Sequence, residues 1–100
     1  MELSENQKLS EEIHKIAQMY FLALKADKND EETNLKNSLF IKKVENAFAC
    51  LDGLEKSFIN NEFFYQNYSE WWKNHFSRSS YYRLKRASMM HFKMAFEHED

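Results

Sequence analysis

The chain contains no proline and a single glycine, Gly53, in 100 residues. Sheets of short strands need frequent tight turns, and those turns draw on glycine and proline for backbone angles that other residues resist. A chain without them is expected to be all-α, with helices joined by polar connections. Hydrophobic residues make up 43% and aromatic residues 16% of the sequence, too many for a disordered chain and enough for a shared core. At this length a single helical domain over 1–100 is expected.

Periodicity suggests about five helices. Ser10, followed by Glu11 and Glu12, reads as the N-cap of a first helix near 10–26, with Ile13, Ile16, Ala17, Tyr20, Phe21 and Leu24 on its apolar face. The stretch Asp27–Thr33, "DKNDEET", reads as a surface connection. The helical period resumes through Leu35, Leu39, Phe40, Val44, Ala47, Phe48 and Leu51, and Asp52-Gly53 is expected to end it, since glycine accepts the left-handed conformation common at helix C-termini. A third helix is expected over Leu54–Tyr65, and a short fourth over Glu70–His75 with Ser69 as its cap. A fifth runs from about Arg78 to Phe96. The N-terminal helices would then fill 10–52 and a helix-turn-helix half 54–96, with 97–100 as a frayed tail.

Several kinds of chemistry find little support. Cys50 is alone, which excludes an internal disulfide and a thiolate metal cluster, and its setting in "AFACL" suggests a buried thiol. His14, His75, His91 and His98 lack the i, i+4 spacing with an intervening acid that zinc helices use. No glycine-rich phosphate loop and no nucleophile elbow occurs, so a non-enzymatic role without metal or cofactor is expected. The N-terminus has no basic patch leading into an apolar stretch, and no run reaches the about 18 apolar residues of a membrane span, so a cytoplasmic protein with no membrane association is expected. Trp71 and Trp72, with Phe63, Phe64 and Phe76, read as core before they read as a base-stacking platform. Met89, Met90 and Met94 likewise read as packing before binding surface.

Charge is distributed unevenly. The formal net charge is -2, yet all three arginines, Arg78, Arg83 and Arg86, fall in "SRSSYYRLKR", Ser77–Arg86. Residues 1–66 carry eight lysines against twelve carboxylates, whereas 67–96 carry six cations against Glu70 alone. A basic module on an acidic body suits a domain that presents one face to nucleic acid, because the local field steers a polyanion. With Ser77 as N-cap, Arg78, Ser79, Ser80, Tyr82 and Arg83 face outward on the first turns, and Tyr81 and Leu84 face inward. Arginine grips guanine bidentately, while serine and tyrosine hydroxyls reach phosphates or base edges. Lys73, Lys85 and Arg86 would clamp the backbone of double-stranded DNA.

The run "HFSRSSYYRLKRASMMHF", with "SEWW" before it, resembles the C-terminal helix-turn-helix of phage-type late transcription regulators of the ArpU kind, which in turn resembles the promoter-reading region four of bacterial sigma factors. The likeness is close over Ser77–Ala87 and loose over Val44–Phe96. It implies a capped reading helix with Arg78, Ser79, Ser80, Tyr82 and Arg83 toward the groove, and a regulator of transcription. Two positions depart from the pattern: His75 stands where the family turn has glycine, a position a histidine can occupy in a left-handed conformation at some cost, and the bracing helix carries paired Trp71 and Trp72. RNA polymerase is a further partner on this reading, and a homodimer is compatible with it. The alternative is a helical protein-interaction module whose basic helix grips an acidic partner surface.

Overall fold

The computed structural model describes residues 4–26, 31–65 and 70–98. Among these residues the chain is helical and has no strand: α1 (Glu5–Lys25), α2 (Glu31–Ala49), α3 (Gly53–Ile59), a π-helical turn (Asn60–Phe64) that continues α3, and α4 (Arg78–Glu97).

α1 begins earlier than expected. Ser4 is its cap, with Ser4 Oγ accepting from the Gln7 amide at 3.1 Å and Gln7 Oε1 accepting from the Ser4 amide at 2.9 Å. This reciprocal capping box satisfies two orphan donors, whereas Ser10 has an apolar Ile13 at the matching position and lies inside the helix. The acids Glu31 and Glu32, expected in a connection, form the first turn of α2, where the helix dipole favours them; residues 27–30 lie outside the described residues.

Gly53 is also corrected. Asp52 caps α3, its Oδ1 accepting from the Glu55 amide at 2.8 Å, and Gly53 is the first residue of that helix with no positive φ. The signal here was the Asp-x-x-Glu box and not the glycine. A Cβ on Gly53 would meet nothing within 4 Å. Gly53→Ala is therefore expected to stabilise the fold by about 0.4–1 kcal/mol by narrowing the unfolded ensemble, a gain measurable as a higher urea midpoint at constant m-value.

α3 widens where Tyr65 N–H donates to Asn60 O at 2.7 Å, five residues back. The extra residue lets consecutive phenylalanines both turn inward: Phe63 meets His14 edge-on, and Phe64 meets Tyr20, Phe48 and Phe92. Ile13, Ile16, Val44, Ala47, Leu51, Ile59, Phe63, Met89 and Phe92 form one core drawn from all four helices and the π turn. α4 packs against α1, α2 and α3, so its inward row is buried and its opposite side faces solvent.

The expected fourth helix is absent as a regular element. Glu70–His75 makes turns, with Lys73 N–H on Glu70 O at 3.1 Å, and His75 and Phe76 N–H both on Trp72 O at 2.9 Å. Trp71 and Trp72 are half-buried against Phe58 and Tyr81, so aromatic docking and not helical periodicity shapes this stretch. Ser69, its expected cap, lies outside the described residues. Other expectations change as well: Cys50 is exposed after the end of α2, Leu24, Leu35 and Leu39 of the expected apolar stripes are exposed, and Met90 and Met94 face solvent while Met89 is buried. α4 extends through Glu97, one residue into the expected tail, and residues 99–100 lie outside the described residues.

Candidate nucleic-acid interface

Ser77 starts α4. Its backbone is extended at φ -69° and ψ 164°, and its hydroxyl accepts from the Ser80 amide at 3.2 Å. The same hydroxyl donates to Ser80 Oγ at 3.0 Å, so Ser80 is half-buried in the cap while Ser79 is exposed. No acid lies in the first turn of α4, which leaves its positive dipole end unneutralised by side chains of that turn.

The two adjacent tyrosines diverge. Tyr81 is 6% exposed and Tyr82 58% exposed. Arg78, Arg83 and Arg86 are exposed, and among the described residues none has a carboxylate within ion-pair distance. They join Ser79 and Tyr82 on one surface at the N-terminal half of α4. Lys73 and Lys85 differ: Lys73 pairs with Glu70 at 2.7 Å on the exposed turn, and Lys85 pairs with Glu62 at 3.2 Å, its side chain only 23% exposed. Lys85 is thus held inward, and among the described residues the cations of this surface without a carboxylate partner are the arginines.

Beneath that surface lies a polar hub that sequence reasoning placed only on the apolar face of the third helix. Glu62, 12% exposed at its side chain, accepts from Trp71 Nε1 at 2.9 Å and from the Tyr81 hydroxyl, and pairs with Lys85. Trp72 stacks on Tyr81 with centroids 4.4 Å apart and planes 21° apart, and Phe58 lies on the tyrosine at 5.5 Å. Burial pushes the Tyr81 phenol well above its ordinary range, and its hydrogen bond to the Glu62 carboxylate pushes in the same direction. Burial lowers the pKa of nearby His14, with Glu62 opposing and Lys85 reinforcing that shift. A lone acid among Phe58, Ile59 and Phe63 was the available signal, since a buried carboxylate requires partners. The hub ties the turn segment to the inward side of α4 through Tyr81 and Lys85.

His75 contributes no left-handed turn: no described non-glycine residue has positive φ. The chain reverses through the hydrogen-bonded turns at Glu70–Phe76 instead. A groove of about 400 Å³ separates the first turns of α1 from α4 and is flanked by Gln7, Ser10, Tyr82, Arg86 and Met89. It borders the arginine surface and extends it toward α1. On the other flank of α4, His91 Nδ1 meets Glu55 Oε2 and joins α3 to α4. Among the described residues no three His, Cys, Asp or Glu side chains assemble as a metal site, and no helix is long and apolar enough to cross a membrane. Comparison with protein-family models, curated proteins and solved structures gives no match.

Proposed function

We propose that this chain is a non-enzymatic DNA-binding protein, a cytoplasmic regulator of transcription that reads the major groove with the first turns of α4 and uses no cofactor. The observation that carries the reading is the set of three arginines, exposed and without carboxylate partners among the described residues, on the outward side of a rigidly capped helix. Approach is driven by phosphate attraction, and Arg78 and Arg83, with Ser79 and Tyr82, then meet base edges and backbone. Arg86 serves as a backbone clamp. In this reading the turn segment at Glu70–Phe76 does the bracing that a short helix performs in sigma region four and ArpU-like regulators. RNA polymerase is a further partner.

The test is a salt titration with duplex DNA. Log affinity is expected to fall linearly with log salt, by about 0.9 per phosphate contacted. Arg83→Ala is expected to remove about 1–3 kcal/mol of discrimination between selected and random duplexes while leaving the fold intact. Absence of duplex binding at low salt would overturn the reading. A second reading, a protein-interaction module, is favoured by Met90 and Met94, which continue the same exposed side of α4.

A further inference from the structure

The outward stripe of α4 changes character along its length. Ser79, Arg83, Arg86, Met90, Met94 and Glu97 succeed one another at steps of three or four residues, and all six are exposed. That spacing places them on one helix face. The stripe is cationic at its start, soft and apolar at its centre, and acidic at its end, where Glu99 and Asp100 follow in the sequence. Met90 is 44% and Met94 54% exposed, an adjacent pair one turn apart. Glu97 pairs with Lys93 one turn back, at 3.2 Å, an intrahelical contact weak enough to exchange.

Turned end for end, this pattern complements itself. We infer that α4 docks antiparallel on α4 of a second copy, with Met90 of each copy against Met94 of the other and Arg86 of each beside Glu97 of the other. A twofold interface requires such self-complementarity. With the axis passing near Phe92, Arg86 lies about 9 Å and Glu97 about 7.5 Å along the helix from it, so the opposed charges meet within about one residue. Methionine suits the centre, because its unbranched thioether adapts to a facing copy of itself. The contacting face from Arg86 to Glu97 is about 17 Å long and about 10 Å wide, well below the about 800 Å² per partner of a standard interface, so the dimer is weak and reversible. It rests on the second half of the stripe and holds whether or not α4 reads DNA; where both occur, a duplex competes for Arg86.

Sedimentation equilibrium of the full chain from ~10 µM to ~1 mM tests this, under reducing conditions because Cys50 is exposed. The weight-average mass is expected to rise from 12.1 kDa toward twice that value as concentration increases. Arg86→Glu and Glu97→Arg should each weaken association about tenfold by placing like charges together twice. The double variant, R86E with E97R, should restore it, and Met94→Lys should abolish it with an unchanged helical circular dichroism spectrum. A wild-type chain that remains at 12.1 kDa throughout overturns the inference, leaving the stripe to an unrelated partner. So does a folded double variant no better associated than either single one.

Discussion

Replacing Glu62 with leucine is expected to cost about 3 kcal/mol and to lower the melting temperature by about 10–20 °C. The substitution keeps the volume but strips the acceptor from the Trp71 indole and the Tyr81 hydroxyl, and the counter-charge from Lys85. Each buried donor left without a partner costs about 1–3 kcal/mol. Lys85 is partly exposed and recovers some hydration, which keeps the total below the simple sum. Glu62→Gln retains one acceptor oxygen and should lose less than half as much. Because the hub seats the turn segment, tryptophan fluorescence should shift to the red in the leucine variant, and duplex binding should weaken although every arginine remains. Unchanged stability in the leucine variant would show that the hub does not hold this corner of the fold.

Phe92→Ala should be more damaging still. Phe92 is 0% exposed, sits in the core shared by the four helices, lies edge-on to Phe64 at 6.0 Å and stacks with Phe96 at 6.3 Å. Truncating a phenylalanine in such a place loses the transferred ring and leaves a cavity, for about 3–5 kcal/mol. Small domains have about 5–15 kcal/mol in total, so the variant should stand near its unfolding threshold at room temperature. Phe92→Leu should cost no more than about 1.5 kcal/mol, since it keeps most of the volume. Met90→Ala, two residues away on the exposed side, should move the urea midpoint by less than about 0.5 kcal/mol equivalent. The contrast between neighbouring residues of one helix measures how sharply α4 divides core from surface.

Much of α4 was legible before any coordinates. A serine cap and a 3.6-residue period are local properties, so Ser77, the inward Tyr81 and the outward Tyr82 and Arg83 followed from spacing. The helical class followed from the scarcity of glycine and proline. Elsewhere local signals competed. Ser10 reads as the cap of α1, but Ser4 takes that place because Gln7 completes a capping box with it. Asp52-Gly53 reads as the ending of α2, but the capping box between Asp52 and Glu55 makes it the beginning of α3. The turn at Glu70–His75 and the hub at Glu62 could not be placed by spacing, because they depend on Trp71, Trp72 and Tyr81 meeting across the fold. The exposure of Met90 and Met94 was equally a tertiary matter: methionine period alone does not say which of two faces a neighbouring helix covers.

The wide turn at Asn60–Phe64 has a consequence for chain length. Deleting one residue there would let the segment rewind with ordinary i to i+4 bonding, because the wide turn absorbs one residue more than a regular helix holds. Phe63 and Phe64 could then no longer both turn inward, and one of the two aromatic contacts with the core would be lost. Relatives of this chain one residue shorter between Asp52 and Tyr65 should therefore have a regular helix there, with a single inward aromatic residue in place of Phe63 and Phe64.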